Sequence, residues 1–358
     1  MKKTLSRRLL TQSLAVTILG AACTAHAQSP RQVPHAQGVA EISATPKRVV
    51  ALSVSSLDTL DALGIDVAGV PNPPSGKSTV RWPEHLLQKY SQPSYVKISG
   101  GQSAEGSGPS QADQIKALNP DLIVLDGRGR GQFETLKGIA PTLDLSVSNA
   151  SFVTSTVQNI LALGTAFGRE KQANDRAYQL LAKVRTLHES AAKQGTGLVL
   201  FAVANRVMPQ QPDARFGMIY EVTGIRPILA PTEGQGLSTG RPPAAGNAKA
   251  SADDPAAKAA AEAAQKARLE AENKYLADVM GREPDWLFVV DRNAAFGEAK
   301  AAETMAATPA IANSRAWKEK KVVYLDQGGA NWYMGAGGLG LLEGTIRQSQ
   351  AAFDQYKK

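Results

Sequence analysis

The chain has 358 residues, 43% of them hydrophobic and 20% charged, with a formal net charge of +8. That length is ample for two domains with their own cores. The only cysteine, Cys23, lies near the start, which excludes a disulfide framework, a cysteine metal site and a cysteine nucleophile from the rest of the chain. The cationic excess is moderate and dispersed, unlike the clustered footprint of a nucleic-acid binder, and it suits an anionic small ligand.

Lys2, Lys3, Arg7 and Arg8 form a basic n-region ahead of a short apolar core, Leu14 to Ala22, and Ala25-His26-Ala27 reads as a cleavage site. This is the pattern of an export signal over residues 1–27, with the mature chain starting at Gln28. Loss of four signal cations, with no acid among those residues, takes the net charge from +8 to +4. The apolar core is too short to span a bilayer. Ser6-Arg7-Arg8-Leu9-Leu10 also resembles a twin-arginine signal, so that route and the general secretory one both stand. A lipid anchor on Cys23 would want leucine where Gly20 stands.

Residues 28–45 read as a polar leader. Arg48 to Leu52 follows as a first strand, Ser53 to Leu63 as an amphipathic helix stopped by Gly64, and Val67 to Val70 as a second strand. Ser94 to Pro109, rich in Gly and Ser, reads as loop, and Gln111 to Leu118 as a helix. Alternating β and α elements imply a parallel α/β lobe over 46–150. Apolar residues at helical spacing from Val153 to Ala166 predict a single stiff interdomain helix over 151–170, with limited hinge motion. Residues 171–358 form the second lobe: a helix from about Lys171 to Lys193, a strand over Leu198 to Val203, and a helix from Phe216 to Val222 ending at Gly224. Residues 242–273 are Ala-rich with interspersed Lys, Glu and Gln, a composition that favours helix but offers few large side chains to dock one. They read as a surface insertion.

One phrase occurs twice. Pro120-Asp121-Leu122-Ile123-Val124-Leu125-Asp126-Gly127-Arg128 returns as Pro284-Asp285-Trp286-Leu287-Phe288-Val289-Val290-Asp291-Arg292. Each copy reads as a Pro-Asp turn, a continuous apolar strand of the kind buried on both faces of a parallel sheet, and an arginine just past it. Ligands of open parallel sheets bind beyond the carboxyl ends of the strands, so Arg128 and Arg292 point to a cleft shared by two similar lobes. Arg215, just before a helix in Asp213-Ala214-Arg215-Phe216-Gly217, is a third candidate. Three guanidiniums would suit a multiply anionic ligand, because each fork donates several charge-assisted hydrogen bonds.

The last strand, Lys321 to Asp326, leads into a Gly-rich loop with Trp332 and Tyr333. A place at the cleft and packing on their own lobe are both consistent with that pattern. Gly335-Ala336-Gly337-Gly338-Leu339-Gly340 matches G-x-G-x-x-G but opens no βαβ unit, so a dinucleotide site is rejected in favour of glycines turning a loop into the last helix. His35, His85 and His188 are isolated, and no nucleophile elbow, Walker loop or close carboxylate pair is present.

With those residues in view the chain resembles a periplasmic siderophore-binding protein of an iron ABC importer, in the ferric-catecholate, petrobactin-type branch. The likeness runs through Pro46 to Val50, Leu57 to Gly64, Ala214-Arg215-Phe216-Gly217, Phe288 to Arg292, and Trp332-Tyr333 with the glycines that follow. It implies a class III binding protein: two Rossmann-like α/β lobes with parallel-rich sheets joined by one long helix. It implies no enzymatic activity and no intrinsic cofactor. The ligand is a Fe(III)-siderophore held by Arg128, Arg215, Arg292, Trp332 and Tyr333, with Tyr333 as a phenolate donor to iron. Where the branch often has a histidine, this chain has Glu233, a second candidate iron ligand and one suited to a siderophore that leaves two iron positions free. Asp113 is the candidate permease-docking acid of the first lobe. The resemblance also implies a periplasmic monomer with an inner-membrane ABC permease as partner and no nucleic acid. A haem or cobalamin carrier on the same scaffold, and an exported hydrolase using the cleft, are the alternatives.

Overall fold

The computed structural model describes residues 29–73, 81–99, 109–234, 237, 255–298, 301–325, 332–335 and 337–356. The proposed export signal and the first part of the Ala-rich segment, 242–254, lie outside these residues, as does most of the Gly/Ser-rich loop. Among the described residues no helix is long and apolar enough to cross a membrane.

The leader is not a loose segment. β1 (Arg31–His35) and β2 (Gly38–Ile42) form an antiparallel hairpin. Val33 and Ile42 are buried, and Arg31 Nη1 donates to the Ala166 carbonyl at 3.3 Å.

The first lobe follows as β3 (Val49–Ala51), α1 (Val54–Ala62), β4 (Gly69–Pro71), α2 (Glu84–Tyr90), β5 (Val96–Ile98), α3 (Gln111–Ala117), β6 (Leu122–Leu125), α4 (Phe133–Lys137) and β7 (Thr142–Asp144). The order across the sheet is β5-β4-β3-β6-β7, with every pairing parallel. β5 falls inside the stretch expected to be loop. Its three residues are too few to show a periodicity, and the edge position comes from pairing with β4. Ser53 caps α1, its side chain accepting from the Ser56 amide.

α5 (Phe152–Phe167) ends at Gly168, which is left-handed, and α6 (Glu170–Ala191) leads on to the second sheet. Two packed helices thus fill the stretch where one connecting helix and the first helix of the second lobe were expected. The second lobe continues with β8 (Thr196–Val203), β9 (Arg206–Gln210), α7 (Met218–Thr223), β10 (Arg226–Pro227), α8 (Pro255–Met280), β11 (Trp286–Asp291), α9 (Arg292–Ala295), α10 (Ala301–Ala306), α11 (Pro309–Ala312), α12 (Arg315–Lys318), β12 (Val322–Tyr324), α13 (Trp332–Gly335) and α14 (Leu339–Gln355). β10, β8, β11 and β12 are parallel neighbours, and β9 folds back antiparallel on β8.

The doubled phrase serves the same purpose in both lobes. Every residue of β6 and of β11 is buried. The Asp121 carboxylate accepts from the Lys47 and Arg48 amides, each at 2.8 Å, and Asp285 accepts from the Thr196 amide at 2.8 Å. Each Pro-Asp turn thereby ties its strand to the start of the neighbour in the sheet.

One apolar cluster is shared by both lobes, running from Val49 and Leu122 through Ile160 and Leu180 to Phe288 and Phe353. Smaller clusters cover the outer faces, one around Ile123 and Leu136 and one around Leu287 and Val279. A core continuous across the lobe boundary resists their moving as separate bodies.

The exposed turns of α8 belong to the Ala-rich segment. Its other end docks through Glu272, which is 5% exposed and clasped by Arg206 of β9 at 2.5 Å, with Arg268 of α8 itself adding a second pair at 2.8 Å. The surface insertion thus continues without a break into a helix of the second lobe.

Candidate ligand-binding site

The strand order reverses between β3 and β6 in one sheet and between β8 and β11 in the other. Crevices at such switch points are where open parallel sheets hold ligands. Arg128 follows β6 and Arg292 follows β11. In each lobe a buried aspartate at the strand end is used by the turn itself. Asp126 accepts from the Arg128 amide at 3.0 Å and from the Ser55 hydroxyl. Asp291 accepts from the Ala294 amide at 3.0 Å and the Ala301 amide at 2.7 Å. With both acids engaged in turns, the arginine side chains are left for the cleft.

Those two arginines and Arg215 converge on Tyr333. The guanidinium carbons of Arg215, Arg292 and Arg128 lie 4.6, 5.5 and 5.9 Å from the centre of its ring. Arg128 Nη2 and Arg215 Nη2 both donate to the Tyr333 carbonyl oxygen, each at 2.8 Å. The ring stacks on Phe201, with centroids 6.1 Å apart and planes 4° from parallel, and Phe296 meets it edge-on at 5.8 Å. Phe216 and Phe296 support the arginines in turn, with Arg215 4.8 Å above one and Arg292 4.3 Å above the other.

The electrostatics are those of a site awaiting an anion. Among the described residues no carboxylate forms an ion pair with any of the three arginines. Burial, and then the like charge of Arg128, holds the Arg215 guanidinium below its ordinary pKa. Burial pushes the Tyr333 phenol up, but hydrogen bonds from Arg292 and Arg215 together with their charges outweigh it, so the phenol lies below its ordinary value of 10.0. A phenol poised to ionise beside two guanidiniums can give a hard oxygen donor to a hard metal ion.

A cavity of about 380 Å³ opens beside this cluster. Asp126, Arg128, Ser146 and Asn149 line it from the first lobe and Arg215 and Phe216 from the second, with Tyr333 between them. Arg292, 5.5 Å from the centre of the tyrosine ring, is outside that lining.

The remaining expected site residues lie elsewhere. Trp332 is fully buried, with its indole N–H donating to the Thr345 hydroxyl at 2.8 Å and its ring 5.7 Å from Phe152. It belongs to the core rather than to the ligand surface, which corrects its place in the expected binding set. Glu233 is half-buried outside the cavity lining. Its carboxylate pairs with Arg282 at 2.6 Å and accepts from the Ala230 amide at 3.1 Å, and that pairing holds it below the usual carboxylate range. Asp113 lies exposed on the first turn of α3, hydrogen-bonded to the capping residue Ser110 at 2.7 Å.

Sequence reasoning missed Phe201, Phe296, Ser146 and Asn149. Phe201 read as an ordinary strand residue. A faint signal for Phe296 is its position one helical turn after Arg292, a spacing that brings two side chains to one face.

Residues 49–328 match the model of the periplasmic binding protein family. The petrobactin-binding protein YclQ of Bacillus subtilis is 27% identical over 315 residues, covering 86% of this chain and 83% of that protein. The ferric-anguibactin-binding protein FatB of Vibrio anguillarum is 24% identical over 317 residues, covering 86% and 82%. The crystal structure of YclQ superposes with a TM-score of 0.70 at 25% identity, over 92% of this chain and 100% of that one. The catecholate-siderophore binding protein VctP of Vibrio cholerae shares the fold, with a TM-score of 0.68 at 20% identity over 89% and 99%.

Proposed function

The chain belongs to the periplasmic binding protein family, and from that membership we propose that it captures a ferric siderophore, a catecholate in the first instance, and delivers it to an inner-membrane ABC permease. The observation that carries this reading is the convergence of Arg128, Arg215 and Arg292, from both lobes, on the single phenol of Tyr333. Relatives that bind petrobactin and ferric anguibactin support it. A ferric catecholate is multiply anionic and presents planar oxygen pairs, which match the guanidinium fork. Iron enters as part of the ligand, and no resident cofactor is needed.

In this reading the arginines neutralise the catecholate oxygens and the Tyr333 phenolate donates to Fe(III). Glu233 is the proposed second donor, and its carboxylate exchanges Arg282 for iron when the siderophore leaves two positions free. The exchange is affordable, because an ion pair at such exposure is worth about 0–1 kcal/mol. Release on the outer side of an inner membrane places the protein in the periplasm, working as a monomer. Asp113 is the proposed first-lobe contact to the permease.

Tryptophan-fluorescence titration with ferric tetradentate and hexadentate catecholates, haem and cobalamin tests the reading. Trp332, one residue from Tyr333, is a built-in reporter. Quenching by a catecholate at micromolar concentration or below is the expected result. A response to haem or cobalamin alone would replace the ligand class, and no response to any of the four would remove the carrier role.

A further inference from the structure

Tyr333 belongs to the second half of the sequence, yet the segment that carries it is fastened to the first lobe. Asp58 on α1 is 2% exposed, and its Oδ2 accepts from the Leu341 amide at 2.9 Å. The hydroxyl of the next residue, Thr59, accepts from the Leu339 amide at 3.2 Å. Leu339 and Leu341 are in the first turn of α14, where amides have no partner within the helix and a carboxylate is favoured by the helix dipole. The capping position itself is Gly338, which has no side chain to do this. A methyl group on Gly338 or Gly340 would occupy the space of the Asp58 carboxylate. Gly338 and Gly340 are therefore the surface against which a carboxylate from the other lobe is seated. α1 also packs against α13, the helix of Tyr333. The second oxygen of Asp58 faces His85 Nε2, on α2, at 3.5 Å.

We propose that Asp58 is a positioning residue for the ligand site: by capping α14 from across the lobe boundary it holds the Tyr333 segment where the tyrosine carbonyl meets Arg128 and Arg215 and its ring meets Arg292. The geometry stands without a ligand, and only the affinity readout rests on the ferric-siderophore reading. Two hydrogen bonds of 2.8 Å converge on one carbonyl oxygen, so a displacement of about 1 Å would break both. Asp58 touches none of the ligand-facing groups itself. It acts through the helix that follows them.

The test follows the phenol of Tyr333 by pH titration of ¹³Cζ-tyrosine NMR, its signal identified by its loss in Tyr333→Phe. Affinity for a ferric bis-catecholamide is measured alongside. In Asp58→Ala and Gly340→Ala the phenol titrates closer to 10 and affinity drops by about tenfold, the size of a lost cap. Asp58→Asn keeps an acceptor for the Leu341 amide and restores both. If Asp58→Ala does not fold, Gly340→Ala and Asp58→Asn carry the test. Thermal destabilisation with an unchanged Tyr333 titration would reduce Asp58 to a structural residue and overturn the proposal. A parent protein that binds no ferric catecholate, with the titration still shifted in the variants, would sink the functional reading and leave the positioning role standing.

Discussion

Arg128 and Tyr333, separated by 205 positions in the chain, are joined by a 2.8 Å hydrogen bond from the guanidinium to the tyrosine carbonyl. One partner is the strand-end arginine of the first lobe, and the other sits in the loop-helix segment near the carboxyl end. Each arginine of the cluster should therefore matter separately. Arg128→Gln and Arg215→Gln each remove charge-assisted bonds and should weaken binding of a ferric catecholate by about 10- to 100-fold. Fluorescence titration at two salt concentrations checks this, with the parent losing more affinity in high salt than either variant.

Tyr333 separates coordination from electrostatics. Tyr333→Phe should abolish the visible phenolate-to-iron charge-transfer band of the loaded protein while keeping part of its affinity. Arg292→Gln removes a hydrogen bond and a positive charge that favour the phenolate. Its Tyr333 should titrate higher than in the parent, moving back toward 10.0. An unchanged visible spectrum in Tyr333→Phe would take the phenolate out of the iron sphere.

Glu233 and Arg282 test the second donor. Glu233→Ala should weaken a tetradentate ferric siderophore more than a hexadentate one, because only the former leaves positions for a protein ligand. Arg282→Gln should strengthen the tetradentate complex by releasing the carboxylate from its 2.6 Å partner. Equal losses for both siderophores in Glu233→Ala would make that residue a loop anchor.

His85 gives a pH signature. Its pKa is raised above 6.5, first by the Asp58 carboxylate 3.5 Å away, against the opposing cost of burial, with Asp61 also favouring the cation and Lys89 opposing it. A raised folded-state value means stability fully present below the unfolded pKa and lost as pH rises through the folded one. The melting temperature of His85→Asn should lie below that of the parent at about pH 5.5 and converge with it by about pH 9.

Trp332 distinguishes core from cleft. Trp332→Phe loses the hydrogen bond to Thr345 and some core volume, about 1–3 kcal/mol of stability. Chemical denaturation should register that loss while affinity for the ferric catecholate stays close to the parent. A large loss of affinity without a loss of stability would return the indole to the ligand surface.

Much of the scaffold was legible because it is written locally. The apolar runs of β6 and β11, the Pro-Asp turns and the arginines beyond them follow from burial and backbone chemistry within a few residues. The hairpin at 31–42 was not legible, since Val33 and Ile42 are its only buried large apolar residues and Val39 is 60% exposed, so its strands show no clean alternation. Nor was the divergence of Trp332 from Tyr333. Both fall in α13, and consecutive helical residues point roughly 100° apart, so one enters the core while the other faces the cleft. Nor do the glycines leading into α14 reveal their partner: Asp58, which accepts from the Leu341 amide, lies 283 positions away.

The sequence alone thus determined the two parallel lobes, the cleft at their strand ends and the cations that face it, because strand burial, turn chemistry and charge are properties of short segments. The tertiary structure alone decided that two of the guanidiniums share one carbonyl and all three surround one phenol ring, that Glu233 is held by Arg282, and that a carboxylate of one lobe seats the tyrosine-bearing segment of the other. Those relationships join residues far apart in the chain, and only the packing of a core common to both lobes brings them within bonding distance.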